Sequence, residues 1–299
     1  MNLKRWARWS GRIGVLTTGV LMVSTTLAAT GGQRSAHSVE GPGSYGLVSE
    51  STRADGSIED TWRGSDGSIV TVSGASGLHV KVEQGPAVKG LGQRVDHSAG
   101  VTISGGGLSK AARTKGAQAV RTDGLRLANS VYATPCASWT NPSGHVYIRG
   151  CDTQYLDIDY GGGDWYMADK SEASGRSNCA SDWTCDRMTQ LYDKMSYLSG
   201  NTIIQWTPNS TTTVGNCNTV SLSMTSNQSG IGYSSSQTIC PNSYGPYTVT
   251  GTDFGGVWNG KETANNQWEG VDALDEDHSP AGAPAGVSFM VDVSWCNWC

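Results

Sequence analysis

The chain has 299 residues with a formal net charge of −5, 40 glycines, eight cysteines and eleven tryptophans against two phenylalanines. A net-acidic, glycine-rich chain of this kind disfavours nucleic acid as a partner, because acidic surface repels phosphates and releases no counterions. It is long enough to bury a sizeable core, and the charge is unevenly spread along it.

The first 29 residues read as a signal peptide. Lys4, Arg5, Arg8 and Arg12 precede the apolar run "IGVLTTGVLMVSTTLAA", and small residues follow at Ala28 and Ala29. A basic stretch, a short apolar stretch and a small-residue exit mark export and cleavage. No second long apolar run follows, so the mature chain is expected to be secreted, extracellular and without a membrane anchor.

Residues 30–108 form a cysteine-free, glycine-rich region with strand grammar. "ADGSIEDTW" and "SDGSIVTVSG" repeat Asp-Gly-Ser-Ile, and Asp-Gly favours tight turns. "SIVTVSG", "LHVKVE" and "GVTISGG" alternate apolar with polar, as half-buried strands do. The region has few large apolar side chains, which points to a small sheet needing a partner surface or to a removable pro-region. Residues 109–130 carry Lys110, Arg113, Lys115, Arg121 and Arg126 against Asp123, a basic linker or processing junction.

Composition changes near residue 130. Residues 30–130 hold eleven basic and nine acidic side chains, whereas 131–299 hold six and seventeen, a net of −11. Residues 131–299 read as an acidic, Cys- and Trp-rich domain: a mainly β, disulfide-stabilised antiparallel sandwich with one short helix. Strands are expected over "HVYIRG", "QYLDIDY", "DWYMAD", "NTIIQW", "NTVSLSMTS", "YTVTGTDF" and "GVSFMVDVSW". The helix is expected in "SDWTCDRMTQLYDKMSYLSGN", where Met188, Leu191, Tyr192, Met195 and Leu198 recur at helical spacing and Gly200 can end the run.

All eight cysteines lie in this domain. An even number in an exported chain favours disulfides, and pairing between neighbours is expected: Cys136–Cys151, Cys179–Cys185, Cys217–Cys240 and Cys296–Cys299. The terminal "CNWC" has no following helix to activate a thiol and no second pair for zinc. It reads as a staple.

No catalytic motif stands out, and nothing singles out a Ser-His-Asp set, whose members need not be near one another in sequence. No G-x-S-x-G elbow occurs, and the glycine clusters lack the context of a phosphate loop. Asp157 and Asp159 share one face of a strand, and three glycines could fold Asp164 back to join them. That oxygen set would suit calcium. "GVDALDEDHSP" is a second acidic cluster, expected as a soluble turn. The aromatic residues argue more for binding, with Trp165, Tyr166, Trp258 and Trp298 as a recognition strip. The leading expectation is therefore a secreted non-catalytic protein that binds an extracellular glycan, cell-envelope polymer or protein. A hydrolase or zymogen using the clustered carboxylates is the second. A toxin or protease inhibitor, with "SGRSNC" as its exposed loop, is the third.

Overall fold

The repeated Asp-Gly-Ser-Ile units make the same turn twice. In each, the aspartate Oδ1 accepts hydrogen bonds from the backbone N–H and the hydroxyl of the serine two residues on, Ser57 for Asp55 and Ser68 for Asp66. Gly56 and Gly67 follow at φ of 85° and 94°, a region a β-carbon would resist. These turns join β2 (Tyr45–Thr52), β3 (Ile58–Gly64) and β4 (Ile69–Gly74). The computed structural model describes residues 37–89, 95–105, 130–159, 165–177, 186–197, 201–228, 230–247, 250–262, 264, 266–279 and 287–297.

Every regular element among the described residues is a strand. The others are β1 (Ser38–Glu40), β5 (Leu78–Lys89), β6 (Val95–Gly105), β7 (Ser130–Ala133), β8 (Cys136–Thr140), β9 (Val146–Asp159), β10 (Trp165–Ser177), β11 (Asp186–Tyr197), β12 (Thr202–Thr207) and β13 (Thr212–Thr213). Then come β14 (Asn218–Thr225), β15 (Gly232–Ile239), β16 (Asn242–Tyr247), β17 (Asp253–Gly260), β18 (Glu269–Ser279) and β19 (Val287–Asn297). One sheet runs β1-β5-β6-β19-β11-β17-β16-β13, and the other β12-β18-β10-β9-β8-β4-β3-β2 with β7 on β9. The β14–β15 hairpin is a separate two-stranded sheet.

The two large sheets pack in a sandwich-like manner. Val70, Val72, Trp139 and Ile148 of one meet Val80, Val101, Leu191, Met195, Phe289 and Val293 of the other in one buried cluster. Both sheets mix strands from either side of residue 130, since β4 pairs with β8 and β6 with β19. The change in composition near residue 130 is thus not a boundary between sheets.

The expected helix is not formed. Residues 186–197 are the strand β11, hydrogen-bonded between β17 and β19. A bulge between Met188 and Gln190 inserts one residue, so Met188 and Leu191 both point inward at a spacing of three. From Leu191 the pattern alternates strictly through Asp193, Met195 and Tyr197, all buried. The bulge counterfeits a helical step, and a buried aspartate hides the alternation. "YTVTGTDF" likewise straddles two strands, the end of β16 and the start of β17.

Two disulfides lie in this frame. Cys136 and Cys151 sit directly opposite on β8 and β9 and are bridged, with Cα atoms 4.1 Å apart. Cys217–Cys240 closes the base of the β14–β15 hairpin. Cys296 is also disulfide-bonded and fully buried. Cys179, Cys185 and Cys299 lie outside the described residues.

Candidate functional site

β18 has the sequence EGVDALDEDHS, yet all of it is buried except His278, which is partly so. The cluster expected as a soluble turn is an almost wholly buried strand of the sandwich. The cause is position. One face of β18 looks into the sandwich towards β11 and β17, and its other face is covered by the β14–β15 hairpin. Alternation therefore sends Asp275 and Asp277 inward, and Asp272, Leu274 and Glu276 towards the hairpin.

On the inner face Asp275 stands opposite Asp169 of β10, beside Asp152 of β9 and Asp277. Tyr197 of β11 bridges the pair, its hydroxyl 2.7 Å from Asp169 Oδ2 and 2.6 Å from Asp275 Oδ2. A phenol has one proton to donate. The second contact therefore needs a protonated carboxyl donating to the phenol oxygen, so at least one of the two aspartates is neutral. Burial drives this: it lifts Asp169 to about 7 and Asp152, Asp275 and Asp277 well above the usual carboxylate range, reinforced by their mutual repulsion. Asp193 of β11, also pushed to about 7 by burial, accepts bonds from Ser171 Oγ at 2.7 Å and Gly256 N–H at 2.6 Å. Gly256 permits that approach because a β-carbon there would lie 2.7 Å from the Asp272 carbonyl oxygen.

Carboxylates grip the hairpin at three levels. Near the tip, Glu276 accepts bonds from Ser226 Oγ at 2.8 Å, the Asn227 N–H at 3.0 Å and the Gln205 side-chain amide. Midway, Glu172 of β10 accepts from Ser235 Oγ at 3.0 Å. At the base, Glu269 accepts from the Cys240 N–H at 3.0 Å, and burial raises this carboxyl to about 7. Asp272 between them is also raised by burial and accepts from the Tyr244 hydroxyl at 2.8 Å. Lys170, which pairs with Glu172 at 3.0 Å, is the cation on this face.

The hairpin is amphipathic. Val220, Leu222, Met224, Tyr233 and Ile239 face the body, interrupted by Ser235 and Gln237. Thr219, Ser221, Ser223 and Thr225 face solvent opposite Thr238, Ser236, Ser234 and Gly232. The expectation that Val220, Leu222 and Met224 share one face of "TVSLSMTS" corresponds to this arrangement.

The residues singled out in the sequence fall elsewhere. Trp258 is 0% exposed, and its indole N–H donates to the Cys240 carbonyl oxygen at 2.8 Å. It fills the core. Tyr166 is partly buried and stacks on His278 at 4.7 Å. Trp165, Asp157 and Asp159 lie on strands whose backbone brings Asp159 beside Trp165 and Trp165 beside Ser279, so the two acidic stretches converge across three strands. The side chains of Trp165, Asp157 and Asp159 lie outside the described residues, as do Asp164 and Trp298. Among the described residues no group of three His, Cys, Asp or Glu side chains is arranged to hold a metal ion. Asp152 belongs to the acidic stretch that the sequence singles out, but Asp169, Asp193 and Glu269 escape sequence reasoning, since a buried carboxylate on a strand looks like a solvent-facing one.

No family model and no curated protein matches the chain. Among solved structures it is similar to the Clostridium perfringens delta-toxin, 12% identical over 52% of this chain and 78% of that one, with a TM-score of 0.33. It is also similar to a structure titled "Pore forming protein", 8% identical over 86% and 87% of the two chains, with a TM-score of 0.28.

Proposed function

We propose that this is an exported protein that permeabilises membranes by inserting its β14–β15 hairpin. One observation carries the reading: an amphipathic hairpin forms its own sheet, is covalently closed at its base and is laid over the body by side-chain contacts. The ladder extends one step past the strands, with the Ser226 N–H donating to the Ile231 carbonyl at 2.8 Å, and ends at the Cys217–Cys240 bridge. Segments 217–226 and 231–240 match the roughly 9–11 residues a strand needs to cross hydrocarbon. β14 alternates as a barrel strand does, apolar towards lipid and Ser/Thr towards water, while on β15 Ser235 and Gln237 interrupt the apolar face. A lone hairpin would leave edge N–H and C=O groups bare in lipid, so several copies must close a barrel together.

Among the described residues no helix is long and apolar enough to cross a membrane, a criterion that does not address strands. Export rests on the N-terminal segment and on the disulfides, which persist in oxidising compartments. The hydrolase reading is less supported, because Asp152, Asp275 and Asp277 are 0% exposed and closed to substrate. Glycan binding by the expected aromatic strip is less supported because Trp258 is interior.

The test is current through planar bilayers together with dye release from vesicles, for wild type and Ser223→Lys. Ser223 faces solvent in the folded chain and water in the barrel, so the lysine leaves the melting temperature unchanged. Wild type is expected to conduct, and the variant to conduct with selectivity shifted towards anions. Absence of conductance, or selectivity indifferent to Ser223, would overturn the proposal.

A further inference from the structure

Outside the carboxylate-lined strand, residues 131–299 carry only six basic side chains, and two converge on one ring. Trp268, 38% exposed, immediately precedes β18. The Arg149 guanidinium lies 5.2 Å and that of Arg176 4.9 Å from the Trp268 ring centre. Tyr147 meets Trp268 edge-on at 5.8 Å, and Arg176 also lies over Tyr147 at 5.9 Å. β9 and β10 set this spacing, since Tyr147 is registered with Arg176 and Arg149 with Ser174, whose hydroxyl accepts from Arg149 Nε at 2.9 Å.

Other basic groups of this half are engaged: Lys170 with Glu172, Lys194 with Asp253, and Arg187 with the Glu262 carbonyl. Among the described residues no carboxylate pairs with Arg149 or Arg176. In a half with seventeen acids, two guanidiniums held against aromatic rings, with no carboxylate paired to them among the described residues, suit an anionic ligand. Guanidinium forks suit phosphate oxygens, and an exposed indole suits the headgroup layer.

We infer that Arg149, Arg176 and Trp268, with Tyr147 behind them, dock the protein on anionic phospholipid surfaces. Charge complementarity argues for that occupant, and position in the fold argues further. The Gln267 side-chain amide beside Trp268 donates to Cys217 Sγ at 3.7 Å, and Glu269 on its other side holds Cys240. The patch therefore adjoins the base of the hairpin. Strands of about ten residues reach across ~30 Å of hydrocarbon only if their base lies at the headgroup level. Docking through Trp268 puts it there. This second point rests on the membrane reading of the hairpin, whereas the charge argument does not.

The test is co-sedimentation of the full chain with vesicles of phosphatidylcholine alone or with a minority of phosphatidylserine, alongside dye release from the same vesicles. Wild type is expected to bind the anionic vesicles selectively, with affinity falling as salt rises. The double variant Arg149→Gln/Arg176→Gln is expected to bind them about 30-fold more weakly, from the contribution of two arginines near an anionic surface. The double Arg→Lys variant should recover most of the binding. Equal binding to both vesicle types, salt-independent binding of wild type, or full binding by the Gln variant would overturn the inference; the salt series stands even if a variant fails to fold. Arginine-dependent binding without dye release would keep the docking site and sink the hairpin reading. Dye release unaffected by the Gln variant would do the reverse.

Discussion

Asp169 shows how one residue can decide the behaviour of its surroundings. Its Oδ2 meets Tyr197, its Oδ1 is buried without a hydrogen-bond partner, and burial holds its carboxyl at about 7. A folded-state pKa raised above the unfolded value of about 3.9 means the folded chain binds the extra proton. The penalty is absent below pH 4, grows as pH rises and is complete above about 7, where a three-unit shift amounts to roughly 4 kcal/mol. Asp169→Asn keeps the shape and removes the charge. Relative to wild type, the variant should gain nothing below pH 4 and up to about 4 kcal/mol at pH 9. Urea titrations at the two pH values check this, and a gain that does not grow with pH would refute it. None of this was legible in "MADKSEAS", where Asp169 looks like any polar position of a strand.

At the scale of the element, the hairpin is held by a disulfide at its base and by carboxylates along its length. The 23-residue separation of Cys217 and Cys240 gives a cross-link worth about 3 kcal/mol through the unfolded chain. Replacing both by Ser should lower stability by about that much. It should also make segment 217–240 the first site of limited proteolysis, which mass spectrometry of the fragments would reveal; cleavage elsewhere first would count against a separately docked hairpin. The sequence carried much of this element. "NTVSLSMTS" alternates cleanly, "NQSG" supplies the turn and the flanking cysteines suggest closure. β11 was misread because its bulge shifts the phase of alternation. β18 was misread because three consecutive acidic residues look solvated unless both faces of their strand are known to be covered.

For the whole molecule, the buried carboxyls act together. Burial holds Asp169, Asp193, Glu269 and Asp292 at about 7 and Glu262 at about 8. Ionising them all at several kcal/mol each would exceed the 5–15 kcal/mol that stabilises an ordinary domain. The folded state therefore holds protons on these carboxyls to a higher pH than the unfolded chain does. The melting temperature should be highest at pH 4–5 and fall steadily through pH 7 to 9, the direction in which the unfolded chain gives up protons the native state keeps. Calorimetry across that range tests it, and a melting temperature at pH 9 equal to that at pH 5 would refute it. The same scale bears on residues 30–108. Their strands lie inside both large sheets, so their removal would strip β6 from β19 and β4 from β8.

The sequence by itself determined the β class, the Asp-Gly turns and the alternation of β14, and it pointed to the neighbour pairings Cys136–Cys151 and Cys217–Cys240. Each follows from contacts between near neighbours in the chain, or from a period of two that any strand must obey. Only the tertiary structure decided that β18 is buried on both faces, that Trp258 is interior and that Arg149, Arg176 and Trp268 meet. Those outcomes depend on which strands become neighbours across the sheets. That choice is made by packing between residues far apart in the chain, which no local pattern records.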